Sequence, residues 1–203
     1  MTKTLQVGIT GGIGSGKTTV CQIFEILQVP IYYADAEAKR LMATNELLIQ
    51  DIKDFLGPKA YLEDGQLNRK YIASQVFGDE KKLARLNSIV HPAMYKDGQR
   101  WHQQQEGVAY TLKEAAILFE SKGHLLMDKT ILVVAPLETR VDRVMARDKA
   151  TKEEVMARVT KQMPDSEKIP LADFIILNDG KAPLVPQILK IHDRLLSIHQ
   201  KQS

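Results

Sequence analysis

The chain has 203 residues, 26% of them charged and 44% hydrophobic, the composition of a water-soluble globular protein long enough to bury a sizeable core. A net charge of +3 without any dense Lys/Arg segment argues against a nucleic-acid partner, while a local cationic cluster would still suit a polyanionic small molecule. No apolar run reaches the roughly 18 residues of a membrane-spanning helix, and the single cysteine rules out an internal disulfide. The N-terminus, Met1-Thr2-Lys3-Thr4, leads into apolar sequence without a signal-peptide pattern, so a cytoplasmic protein is expected, monomeric or weakly oligomeric, with no membrane partner.

Residues 5–10 form a short apolar run that reads as a buried first strand. Gly11-Gly12-Ile13-Gly14-Ser15-Gly16-Lys17-Thr18 follows, a complete phosphate-binding loop. Behind it Val20, Ile23, Phe24 and Leu27 recur at helical spacing. Glycines let successive backbone amides converge on phosphate oxygens, and the positive end of the helix faces the same anion. Lys17 supplies a mobile cation for the β- and γ-phosphates, and Thr18 a hydroxyl ligand for Mg²⁺. The expected nucleotide contacts therefore run from Gly11 to Thr19. No guanine-reading Asn-Lys-x-Asp string is present, since Asn178-Asp179-Gly180-Lys181 has the wrong order, so ATP is the expected nucleotide. Cys21, on the helix after the loop, reads as a small packed residue.

A second strand is expected at 31–34, ending on Ala34-Asp35. Ligands of an open parallel sheet sit beyond the carboxyl ends of its strands. There Asp35 can take a proton from an attacking hydroxyl or hold a metal through water. It can equally be the N-cap of the helix-forming Ala36-Glu37-Ala38-Lys39-Arg40, and both roles remain open. Residues 45–106 read as a helical insertion, a natural place for a second substrate. Leu48, Ile52, Phe55 and Leu56 make one apolar face, stopped by Gly57-Pro58, and Asp64-Gly65 marks a turn. Helical stretches follow at 69–77, 79–90 and 92–106, with His91-Pro92 as a helix boundary. Tyr32, Tyr33 and Trp101 read as core rather than as a stacking surface for adenine.

The third strand is expected at 108–113. Beyond it, Glu120 follows Ile117-Leu118-Phe119 and can orient a substrate, coordinate Mg²⁺ through water, or be a surface acid. After a fourth strand at 129–135, Arg140, Arg143 and Arg147 share one helix face, and Thr151-Lys152-Glu153-Glu154 opens another helix bearing Arg158 and Lys161. Converging arginines suit a lid over a transferring phosphoryl group, excluding the water that causes futile hydrolysis. The bland alternative pairs them with Asp142 and Asp148 on a solvated face. A fifth strand is expected at 174–178, and Leu184, Ile188, Ile191, Leu195 and Ile198 mark a closing helix. The fold class is α/β: a P-loop NTPase-type parallel five-stranded sheet flanked by helices. Its nucleotide-binding core covers 1–44 and 107–203, with the helical insertion at 45–106 and an arginine-bearing lid at about 140–165.

The ordered set of motifs resembles dephospho-coenzyme A kinases over nearly the whole chain. The resemblance rests on Thr10 to Thr18, Ala34-Asp35, Asp64-Gly65-x-Leu67-x-Arg69, Val76-Phe77 and His91-Pro92. It continues through Leu118-Phe119-Glu120, Arg143-Val144-Met145-Ala146-Arg147-Asp148, Arg158-x-x-x-Gln162-Met163-Pro164, Ala172-Asp173 and Asn178-x-Gly180. It implies ATP-dependent phosphorylation of the ribose 3′-hydroxyl of dephospho-coenzyme A, the last step of coenzyme A synthesis. Asp35 would then accept the hydroxyl proton or orient that hydroxyl. Arg143 and Arg147 would close over the transferring group, and Asn178 would sit near the adenine. Arg69, His91 and Glu120 would place the acceptor. Four positions depart from the family pattern: Tyr33 stands for an aspartate, Ala116 for a proline, Leu177 for an acid and Gln28 for a glycine. Two other readings share the loop: a kinase of nucleosides or nucleoside monophosphates, and a non-catalytic ATP-binding regulator. A water-excluding lid argues against the regulator.

Overall fold

The computed structural model describes residues 3–202, so Met1 and Thr2 of the lead-in lie outside it. In chain order the elements are β1 (Leu5–Thr10), α1 (Lys17–Ile26), β2 (Ile31–Tyr33), α2 (Ala34–Thr44), α3 (Glu46–Leu56), α4 (Arg69–Val76) and α5 (Glu80–Gln103). They continue with β3 (Tyr110–Glu114), β4 (Lys129–Val134), α6 (Leu137–Asp148), α7 (Lys152–Val159), α8 (Asp165–Lys168), β5 (Phe174–Leu177) and α9 (Leu184–Gln200). Two compact units result: Met1–Tyr33 with Gln105–Ser203, and Ala34–Gln104.

The first unit is built on one parallel sheet in the order β2-β3-β1-β4-β5. The five strands fall on the five expected apolar runs, their ends moved by a residue or two. The largest shift is at β3, whose register with β1 runs from Leu5↔Tyr110 to Ile9↔Glu114. β1 is central, with β3 on one side and β4 on the other. The chain crosses first to one side and then to the other, so the crevice beyond β1 is the ligand position of such a sheet.

On one sheet face Leu5, Val7, Ile9, Tyr110, Leu112, Ile131, Val133 and Ile176 are buried. Val20, Cys21 and Phe24 of α1, with Ile188, Ile191 and Leu195 of α9, complete that core. Each fully buried aliphatic or phenyl side chain contributes about 1.5–3 kcal/mol to stability, which fixes α1, and hence the loop ahead of it, against the sheet. Burial, then the charges of Glu114 and Glu25, pushes the Cys21 thiol up to about 12, so it stays a neutral packed group.

The chain leaves α1 through Gln28, whose φ of 60° is left-handed. That conformation costs a non-glycine residue about 1 kcal/mol or more, and exposed Gln28 sits at the position where the sequence departs from a glycine. Gln28→Gly is expected to raise stability by about 0.5–1 kcal/mol, part of the relief being offset by the freer unfolded chain. A urea midpoint at or below the parent's would contradict this.

The second unit is helical. Leu41, Leu48, Ile52, Leu56, Ala60, Tyr61, Ile72, Leu86 and Val90 form its core. Asn45 caps α3 by accepting from Leu48 N at 3.1 Å, and Gly57, at φ 88°, ends it ahead of Pro58. Asp64 accepts from Gln66 N at 2.9 Å within the expected turn. One expectation fails: His91-Pro92 is no helix boundary, because α5 continues through Pro92 for 24 residues in all. Proline deprives only the carbonyl four residues back of its partner. That residue, Ser88, is exposed to water, while Leu86 and Val90 before the proline and Ala93 and Met94 after it enter one core. Further along α5 the buried Asp97 carboxylate is held between Arg40 Nη2 (2.8 Å) and Arg100 Nη2 (2.7 Å).

Candidate active site

Between β1 and α1 the loop turns its carbonyls toward specific donors. Gly11 O accepts from Lys17 Nζ at 2.8 Å, and Gly12 O from Ser15 N at 3.0 Å. Ile13 O accepts from Arg140 Nε at 3.0 Å, Gly14 O from Arg143 Nη1 at 3.5 Å and Ser15 O from Asn178 Nδ2 at 2.8 Å. Gly16 O takes the first helical bond, from Val20 N. Of the loop amides, Ile13 N is spent on Gln162 Oε1 at 2.8 Å and Ser15 N on Gly12 O, which leaves those of Gly14 and Gly16, on the cavity wall, for an anion. Two glycines are required sterically: a Cβ on Gly11 would run into the backbone carbonyl of Val133, and one on Gly14, at φ 77°, into that of Arg140. Among the described residues no side chain caps α1 and no acid occupies its first turn, so its amides remain donors for a phosphate.

A cavity of about 310 Å³ lies against this loop, lined by Gly14, Ser15, Gly16, Lys17, Thr18 and Thr19 and, from α6, by Arg143, Val144 and Arg147. The structure thus brings the loop and two of the three α6 arginines to one space. Arg143 is half-buried and also reaches Asn178 O at 3.1 Å. Exposed Arg147 makes a two-point contact with Asp148, which also accepts from Arg158 Nη1 at 2.8 Å. The Arg147 hydrogen bond first, then its charge and Arg158, holds the Asp148 carboxyl below the usual carboxylate range. The cluster is therefore charged throughout the neutral range and comes apart only as pH falls through that depressed value. Arg140 behaves differently from the shared-face expectation. It is 7% exposed, turned into the loop, and paired with Asp165 at 2.9 Å. The capping box opening α7 is present, Glu154 N donating to Thr151 Oγ1 at 3.2 Å and Thr151 N to Glu154 Oε2 at 2.9 Å.

The other expected residues are placed as follows. Asp35 is exposed and lies inside the first turn of α2, which begins at Ala34, so it is not the N-cap. Tyr33 ends β2, and its hydroxyl donates to Glu25 Oε1 at 3.0 Å; burial first and that bond second raise its pKa. Asn178 is buried and spends its amide on the loop and on Arg143. Glu120 Oε1 accepts from Met163 N at 3.1 Å and pairs at 2.9 Å with Lys168, a fully buried lysine. Arg69, the first residue of α4, and His91, mid-way along α5, are exposed in the helical unit. Sequence reasoning missed the inward turn of Arg140, the bond from Ile13 N to Gln162 Oε1 at 2.8 Å, and the burial of Lys168. Only Gln162 carried a signal, its fixed spacing from Arg158.

A five-stranded parallel sheet with this loop, a lysine at its helix start and arginines facing it defines a phosphate-loop kinase. A family model described as dephospho-CoA kinase matches residues 5–183. Of the curated relatives, the dephospho-CoA kinase of Salinibacter ruber is 44% identical over 86% of this chain and 88% of its own length. That of Bacteroides fragilis strain YCH46 is 38% identical over 92% and 91%. The crystal structure of TT1252 from Thermus thermophilus superposes with a TM-score of 0.84 at 34% identity, covering 94% of this chain and 97% of that one. The chain belongs to the dephospho-CoA kinase family.

Proposed function

We infer that the protein transfers the γ-phosphoryl group of ATP to the ribose 3′-hydroxyl of dephospho-coenzyme A, giving ADP and coenzyme A. The observation that carries this reading, in a chain of this family, is the cavity in which residues 14–19 face Arg143 and Arg147. The loop from Gly11 to Thr19 holds the β- and γ-phosphates through the Lys17 ammonium and through its amides other than Ile13 N and Ser15 N, which Gln162 and Gly12 O engage. Arg143 and Arg147, on the α6–α7 lid, neutralise charge on the transferring group and keep water out. Asp35 accepts the proton of the 3′-hydroxyl or orients it for in-line attack. Asn178 and the loop after β5 take the adenine side. Arg69 and His91 take the acceptor, while Glu120 serves the site through Met163 and Lys168. The transition state is loose, so positioning and charge neutralisation account for most of the rate.

The donor set fits Mg²⁺, a hard cation that prefers oxygen. The exposed Thr18 hydroxyl lines the same cavity as Lys17. Thr18 would hold the ion, which when bound neutralises the β- and γ-phosphate oxygens. No helix among the described residues is long and apolar enough to cross a membrane. The same reading takes the protein to work in the cytoplasm as a monomer or weak oligomer.

A panel of acceptors tests this reading. ADP release should depend on dephospho-coenzyme A and stay near background with nucleosides, nucleoside monophosphates or no acceptor. Faster turnover with a nucleoside monophosphate would assign the protein to that chemistry instead.

A further inference from the structure

We propose that Arg140 and Gln162 are positioning residues that fasten the phosphate loop to the α6–α7 hairpin and its return through one residue, Ile13. Gln162 Oε1 holds the peptide before Ile13 by its N–H, at 2.8 Å. Arg140 Nε holds the peptide after it by its carbonyl, at 3.0 Å. The Ile13 side chain completes the attachment, packing with Val141, Val144 and Val155 in the small hydrophobic cluster between α6 and α7. One residue of the loop is therefore gripped at its carbonyl by α6, which carries Arg143 and Arg147, at its side chain by α6 and α7, and at its amide by the return after α7.

The neighbours of Ile13 explain why a grip is needed. Gly12 and Gly14 flank it, and glycine offers little resistance to rotation of a peptide plane. Rotation of the peptide after Ile13 would swing Ile13 O toward the phosphates in place of Gly14 N, replacing an attractive dipole end with a repulsive one, and a turn of the peptide before it would make room for that flip. The two side-chain bonds oppose that rotation, one on each plane. Both are themselves braced. Asp165 pairs with Arg140 Nη1 at 2.9 Å, and the return that carries Gln162 and Asp165 is tied to Glu120 through Met163 N and Lys168 Nζ. Lys168 has 0% exposure, so this tie is shielded from solvent. Glu120 thereby acts on the loop at a distance, through the return.

The inference rests on the assignment of ATP to the loop and not on the acceptor, so it is tested by titrating ATP with Mg²⁺ into the protein by calorimetry, without dephospho-coenzyme A. Gln162→Met keeps length and apolar bulk but loses the acceptor oxygen. Arg140→Lys keeps the charge but replaces the planar fork, whose Nε and Nη1 serve Ile13 O and Asp165 separately, with a single donor atom on a differently shaped stem. Each variant should bind ATP about tenfold more weakly, the loss of roughly one well-placed hydrogen bond. In steady-state assays the KM for the acceptor should be unchanged, so that the defect falls on the nucleotide. An ATP Kd within about twofold of the parent's in either variant, even with a lowered Tm, would make that side chain merely structural and overturn the proposal. Failure of the acceptor assignment would instead leave the ATP titrations of parent and variants as expected.

Discussion

Replacing Lys17 with alanine is expected to lower kcat by about 10²–10³ or more while the protein stays folded. Lys17 opens α1, and its ammonium lies over the loop, 2.8 Å from Gly11 O, on the wall of the cavity shared with Arg143 and Arg147. With ATP present the ammonium would meet the β- and γ-phosphates, where transferring charge develops, and no neighbouring group can take its place. Arg143 is committed to Asn178 and Arg147 to Asp148, so their reach toward the loop is set by those contacts. The fold has little need of this side chain. It is half-exposed, it lies outside the hydrophobic core, and alanine is the best helix former. Steady-state kinetics with circular dichroism on the same sample checks both halves, and near-parent turnover would remove the loop from the chemistry.

Asp35→Asn should cut kcat by about 10²–10⁴, the range for loss of a positioned proton acceptor, with KM for ATP nearly unchanged. The residue stands just past the carboxyl end of β2, in the first turn of α2, with its carboxylate exposed. Asparagine preserves its size and its hydrogen-bonding reach but not its basicity. Because α2 starts at Ala34, a capping role is unavailable to Asp35. What remains for a purely structural carboxylate is its interaction with the helix dipole, about 0.3–1 kcal/mol. A structural role thus predicts a small loss in Tm and normal turnover, whereas a chemical role predicts the reverse.

Local patterns in the sequence were enough for most of the fold. Strand, loop and helix are contiguous from Leu5 to Ile26, the Thr151–Glu154 capping box spans four residues, and the apolar face of α9 repeats at helical spacing. Each depends on residues within a turn or two, where spacing carries the physics. Pro92 went wrong because a local rule met a tertiary override: the apolar face of α5 is buried on both sides of the proline. The details of the site were hidden for a different reason. Arg140 and Arg143 have the same spacing signal, yet one turns to Ile13 and Asp165 and the other to Gly14 and Asn178. The Glu120–Lys168 pair joins residues far apart in sequence, and Lys168, in the polar string Asp165-Ser166-Glu167-Lys168, has every mark of a surface lysine. Tyr33 was visible as a departure from a family pattern, but only the structure supplies its partner, Glu25.

The central claim is a transfer from ATP to one hydroxyl of one acceptor. Its most direct test is to incubate the purified protein with ATP, Mg²⁺ and dephospho-coenzyme A and to characterise the product by mass and by phosphorus–proton NMR. The account predicts an acceptor heavier by one phosphoryl group, attached at the ribose 3′-oxygen, formed in step with ADP. ADP appearing without a phosphorylated acceptor, or a phosphate at any other oxygen, would contradict it.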